Sequence, residues 1–335
     1  MKNDLEPLSS PHVSRRSALK LLSLGAVAAS LGTRLSAAPK AAAAPSLSNP
    51  AIYRFRIGEN DAYAIECGAL EFRPDQPSFA VEASPSEFAT ALRDSTRTNT
   101  IRMPFNVLLL DWNGSYVLID TGAPGWKGEA PLLAQLRHLG VAPESVAHVI
   151  LTHAHFDHVG GLLDAAGRPV FARAAHHVLK AEVDFWTSAA PDLSQVRVPS
   201  GDMISTARRV FDRIEFTYAT PGAEIVPGIT AFHSPGHTPG HMTLRLTSAN
   251  STLNHIADLC HHAPLLMEHT AWTVGSDVDP ALAVRTREAV FQTLAASRER
   301  VFGFHLPFPG LGSIARSATG GFRWIAEDWT PTQLT

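Results

Sequence analysis

Thr152-His153-Ala154-His155-Phe156-Asp157-His158 packs three imidazoles and one carboxylate into six positions. Imidazole nitrogen and carboxylate oxygen are the donors that borderline divalent metals such as zinc prefer. A lone histidine is most simply a packing or surface residue. This many ligand-type side chains at such spacing serve no packing purpose. Three further segments carry the same residue types: Ser234 to His241 with His237 and His241, Ile256 to His262 with Asp258, Cys260 and His261, and Phe304-His305-Leu306-Pro307-Phe308.

Elements able to aim these groups at one point can be read around them. Val146 to Leu151 reads as a short buried strand that stops at the first cluster. Other strand-like runs are Ile52 to Ile57, Ala62 to Cys67, Asn106 to Asp111 and Tyr116 to Ile119, the last ending in Asp120-Thr121-Gly122. Later runs are Gly228 to Phe232, Met242 to Leu246, Thr252 to Ile256 and a final strand, Arg300 to Phe304. Helical spacing marks Ala130 to Leu139, Ala174 to Trp186 and Ser205 to Ile214. A helix capped by Asp279 with Pro280 in its first turn runs on through Leu294. Each candidate ligand lies just past a strand end, the arrangement of an α/β fold that carries its site on loops.

The first 44 residues read as a leader and linker, leaving 45–335 as one domain. Ser14-Arg15-Arg16-Ser17-Ala18-Leu19-Lys20 is a twin-arginine pattern, followed by an apolar run from Leu21 to Leu31. That run is shorter than the roughly 20 apolar residues a membrane span needs, so no stable anchor is expected. Twin-arginine signals are receptor-read addresses, which implies bacterial export of a folded protein to the periplasm or beyond. The leader carries six Lys/Arg and two acids, so its removal takes the net charge from −3 to −7. A mildly acidic chain without a basic stripe is a poor nucleic-acid partner. Two cysteines, Cys67 and Cys260, rule out a disulfide scaffold.

Asp120-Thr121-Gly122, the histidine cluster and the three later segments, in this order, resemble the metallo-β-lactamase superfamily across about residues 52 to 326. The resemblance implies an αββα sandwich, two mixed sheets flanked by helices. It implies that His153, His155 and His237 hold one metal, that Asp157, His158 and His305 hold a second, and that Asp258 bridges them. Asp120 would brace the metal loop without ligating. His241 is the alternative to His237, and His305 could instead be a core histidine. His233 would pack beside the loop, and His176 and His177 would be surface or packing residues on a helix. Cys260 could offer a thiolate, but the His/Asp set already fills both sites. Zinc is the default metal, although the same donors bind manganese, iron or cobalt.

Two such ions sharing a water lower its pKa from 15.7 toward about 7 and supply hydroxide to an ester-type small molecule. Asp157 would handle protons. Asp184-Phe185-Trp186, the His305 to Gly312 block and Gly321-Phe322-Arg323-Trp324 are most similar to the exported methyl parathion hydrolase group. That likeness implies an aryl phosphotriester or aryl ester as substrate, with Trp186 and Phe308 as pocket aromatics. Acyl-homoserine lactonases carry a tyrosine three residues after the bridging aspartate, and the aryl phosphotriesterases an apolar residue; this chain has His261, expected to face the pocket and bond substrate. The chain also departs from its relatives at Cys67-Gly68, where Asp-Gly is common. A lactonase and a hydrolytic dehalogenase of an activated aromatic are the alternatives, and a non-catalytic metal-binding protein stands last. Relatives of this size often form homodimers, an expectation by analogy.

Overall fold

The computed structural model describes residues 51–73, 78–96, 99–125 and 129–328. The expected leader, residues 1–44, lies outside them. In chain order the first half runs β1 (Ile52–Ile57), β2 (Asn60–Phe72), α1 (Pro85–Ser95), β3 (Ile101–Trp112), β4 (Ser115–Ile119) and α2 (Pro131–His138). It continues with β5 (Val146–Ile150), α3 (Phe156–Val159), β6 (Ala175–Leu179), α4 (Lys180–Thr187), α5 (Gly201–Phe211) and β7 (Phe216–Ala219). These strands form one seven-stranded sheet in the order β1 to β7. The second half runs β8 (Glu224–Val226), β9 (Ile229–His233), β10 (Met242–Ser248), β11 (Ser251–His255), α6 (Ala263–Leu266), α7 (Pro280–Ser297), β12 (Arg300–Phe302), β13 (Leu311–Arg316) and β14 (Phe322–Ala326). Its strands form the second sheet, ordered β14 to β8.

Period-two alternation sorts the side chains into layers. On β3, Leu108 and Leu110 face the seam between the sheets, where they meet Ile119, Ile229, Leu244 and Phe302. Val107 and Leu109 face the other way and pack with Leu132 and Leu136 of α2. Phe291 and Leu294 of α7 cover the outer face of the second sheet with Val301 and Ile314. The result is the αββα sandwich that the sequence implied.

Strand direction decides where the loops gather. β4 and β5 are parallel, so both end at the same rim of their sheet. β9 and β11 each run antiparallel to β10, and β12 is parallel to β11, so β9, β11 and β12 also share an end. All the ligand-bearing loops leave from these ends.

One expected element is corrected. Ala174 to Trp186 is a strand and then a helix, because Leu151 N–H donates to His177 O (2.9 Å) and continues a parallel ladder. His176 and His177 therefore lie on β6 and are buried. The expected final strand stops at Phe302 and is followed by β13 and β14. The α7 start is as the cap-then-proline pattern predicts: Asp279 accepts from Leu282 N–H at 2.9 Å.

Candidate metal centre

After β5 the chain turns through Thr152 to His155 into α3, whose single turn carries Asp157 and His158. His237 comes from the β9–β10 loop, Asp258 from a 3-10 turn after β11, and His305 from the loop after β12. Ligand atoms of His153, His155, His237 and Asp258 all lie within 4.8 Å of one another, and those of Asp157, His158 and His305 do likewise. Asp258 touches both groups. Its Oδ1 is 3.1 Å from His158 Nε2, and its Oδ2 is 3.3 Å from His237 Nε2 and 3.1 Å from His305 Nε2.

Outer contacts show which nitrogens face inward. His158 Nδ1 lies 2.8 Å from Asp120 Oδ2, His237 Nδ1 2.8 Å from Asp277 Oδ1, and His305 Nδ1 3.0 Å from Pro104 O. His153 Nδ1 is 3.2 Å from Thr152 Oγ1, whose own proton goes to Asp120. Each of these Nδ1 atoms thus acts as the donor, which leaves the Nε2 lone pair turned to the centre. There His155 Nδ1 sits 3.1 Å from His153 Nε2 and 2.9 Å from His237 Nε2, so one proton at most can serve the two contacts. Buried His158 Nε2 and Asp258 Oδ1 lie 3.1 Å apart without hydrogen-bonding geometry, and neither has a hydrogen-bond partner among the described residues. Converging donor atoms of this kind repel unless protons or cations lie among them. Two divalent ions fit this donor set.

Burial holds His153 and His155 well below the usual histidine range, as neutral ligands require. Burial acts against a charge on His237 too, but hydrogen bonds to Asp258 and Asp277 outweigh it and push its pKa up to about 9. A site that favours a proton at this nitrogen also favours a metal cation there.

The remaining assignments follow from contacts. Asp120 is fully buried and sits in the left-handed region at φ +62°, which Asp tolerates better than most side chains. Its Oδ1 accepts from Thr152 N–H and its Oδ2 from Thr152 Oγ1, both at 2.8 Å, so it braces the loop. His241 bonds Ser234 O and accepts from Asp258 N–H at 3.1 Å, which places it behind the ligands. His233 is exposed and bonds Pro239 O. Cys260 is buried, burial pushes its thiol up to about 12, and it is not part of the converging ligand groups among the described residues.

His155, Asp157, Asp258, His261 and His305 form part of the wall of a cavity of about 1330 Å³, with Leu70, Phe79, Met103, Leu133, Phe156 and Met203 among its apolar lining. His261 Nε2 is 3.1 Å from Asp258 Oδ2, and burial lowers its pKa to about 4, so the ring is neutral at pH 7. The two expected pocket aromatics are elsewhere. Trp186 is 0% exposed, lies edge-on to His155 and is held by its own indole N–H bond to Glu182. Phe308 packs against the inter-sheet core. Neither is among the cavity-lining residues described.

Three supporting residues had no sequence signal beyond their type. Glu182 accepts four hydrogen bonds behind His155, and Asp277 orients His237. Buried Arg287 donates to the carbonyls of Leu259, Thr270 and Trp272, tying the Asp258 turn to α7.

The family model of the metallo-beta-lactamase superfamily matches residues 103–250. An N-acyl homoserine lactonase of Bacillus cereus is 26% identical over 179 residues, 47% of this chain and 64% of the relative. The chain thus spans under two thirds of that relative's length. Among solved structures, the dizinc quorum-quenching lactonase AidC, in complex with a product, superposes with a TM-score of 0.77 at 27% identity, covering 84% of this chain and 98% of that one. Hydrolase AbOPH superposes at 0.76 with 24% identity, covering 85% and 100%, a likeness of fold.

Proposed function

We propose that the chain, whose residues 103–250 match the metallo-beta-lactamase superfamily, is a two-metal hydrolase that opens the ring of N-acyl homoserine lactones. The observation that carries this reading is the cavity of about 1330 Å³, whose wall combines apolar Leu70, Phe79, Met103 and Leu133 with Asp157, Asp258, His261 and His305. An acyl chain needs apolar wall, and the lactone carbonyl needs polar groups beside it. The likenesses to AidC and to the Bacillus cereus lactonase support it. The aryl phosphotriester reading drew on Trp186 and Phe308, and both lie away from the lining. Phe79 and Phe156 in the wall keep an aryl ester as the second reading.

In this reading His153, His155 and His237 would hold one ion, Asp157, His158 and His305 the other, and Asp258 would serve both. Zinc is favoured by the donor types and by the dizinc neighbour. Such a pair supplies an ionised water at neutral pH and a Lewis acid for the acyl oxygen. His261 stands beside Asp258 and would offer a ring N–H as a hydrogen bond to the carbonyl oxygen, the task given to tyrosine in lactonases. Asp157 would take up the proton that the attacking water gives up and return it to the departing ring oxygen, and the apolar walls exclude bulk water. The twin-arginine pattern supports export of the folded enzyme to the periplasm or beyond, and a homodimer belongs to the same proposal.

The test is a substrate panel on purified protein: N-hexanoyl homoserine lactone, an aryl carboxylate ester, an aryl phosphotriester and a chlorinated aromatic nitrile, each with and without chelator. Lactone is expected to give the highest kcat/KM, lost with chelator and restored by zinc. Turnover of the aryl ester alone would move the assignment to the second reading. His261→Ala is expected to lower lactone kcat/KM by about 10–100-fold, the worth of one hydrogen bond to developing charge. A change within twofold would remove His261 from the mechanism.

A further inference from the structure

We infer that Glu182 is a positioning residue for the three-histidine half of the centre, and that it sets the metal affinity of that half alone. The inference rests on the two-metal reading above. His153 and His155 come from the loop after β5, and His237 from the β9–β10 loop, 82 residues on from His155. Glu182, in the first turn of α4, bonds both loops. Its Oε1 accepts from Ala154 N–H (2.8 Å), between the two histidines, and from Trp186 Nε1–H (2.7 Å). Its Oε2 accepts from Thr238 Oγ1 (2.6 Å), next to His237, and from Gly240 N–H (3.0 Å). Gly240 lies so close that a Cβ there would meet Glu182 N at 2.1 Å, so the loop rests directly on α4.

All four partners are donors, and a carboxylate is the side chain with acceptors for all of them. Trp186 completes the brace by standing edge-on behind His155, at 5.8 Å between ring centres. The other half leans on different groups. His158 is held by Asp120, its backbone carbonyl by Thr121 Oγ1 (2.8 Å), and His305 by Pro104 O. None of the hydrogen bonds made by Glu182 reaches Asp157, His158 or His305. Loosening Glu182 therefore acts directly on the three-histidine set, and on the other set only indirectly, as through the bond from His158 N–H to His155 O (3.0 Å).

Glu182→Gln keeps the shape but replaces one acceptor oxygen with a donor, so one loop faces N–H against N–H. The experiment measures zinc stoichiometry and affinity by competition with a chromophoric chelator. It also compares the cobalt(II) spectrum of the variant with those of His237→Ala and His305→Ala. The expected result is two zinc ions in the wild type, with one weakened at least about tenfold in the variant, the lower end of the effect of outer partners. The cobalt spectrum should then match that of His237→Ala. Two unaltered sites, equal weakening of both, or a match to His305→Ala would overturn the inference while leaving the two-metal reading intact. A wild type that binds fewer than two ions would overturn both. Should Glu182→Gln fail to fold, Thr238→Val removes one donor and leaves the carboxylate. It must weaken the same half selectively, by a smaller factor, or the inference falls.

Discussion

Asp258→Ala is expected to lower kcat/KM on the preferred substrate by at least about 10³-fold, well beyond the 10–100-fold typical of outer partners, and to leave at most one ion per chain. Asp258 is the side chain that reaches both ligand groups, with His153, His158, His237, His261 and His305 all within 4.0 Å of its carboxylate. Its removal takes the negative charge from among buried imidazoles and separates the two sites. Kinetics and metal analysis on the same preparation check this. A variant that keeps two ions and more than a tenth of the activity would refute the assignment of Asp258 as the shared ligand.

Asp120→Ala should act on both stability and rate. Its carboxylate accepts from Thr152 N–H, Thr152 Oγ1 and His158 Nδ1, each at 2.8 Å in a fully buried setting. Three donors left without acceptors, at roughly 1–3 kcal/mol each, predict a loss of about 3 kcal/mol or more. Alanine is also less at ease than aspartate at a φ of +62°. With His158 free to turn, activity should fall about 10–100-fold. Denaturant melts of metal-free protein, beside kinetics of the loaded enzyme, separate the two effects. Asp120→Asn, which retains one acceptor oxygen, should be milder in both. A melt shifted by less than about 1 kcal/mol would mean that the loop is held by something else.

The residues that converge on the centre were legible because each follows a strand and is a ligand type in a setting that gives it no other use. His153 lies more than a hundred residues before Asp258 and His305, and the three meet because five strand ends share a rim. Glu182 escaped notice for the opposite reason. One acidic residue in the first turn of a helix is ordinary, since it complements the helix dipole, and nothing nearby in sequence reveals the four donors around it. β6 was misread because a five-residue parallel strand buried on both faces lacks alternation, and Ala174 to Trp186 also carries helix-forming residues. Trp186 went to the core rather than the pocket because its N–H found a buried acceptor four residues back. Aromatic type alone does not distinguish the two fates.

The loop after β5 and the loops after β9, β11 and β12 belong to opposite leaves of the sandwich, so any ion bound by Asp258 rivets one leaf to the other. Occupancy then enters the folding equilibrium: free metal at about 100 times its dissociation constant adds roughly 2.7 kcal/mol per site. Under metal scarcity that tie between the leaves is lost, so supply of the ion is expected to set stability as well as rate.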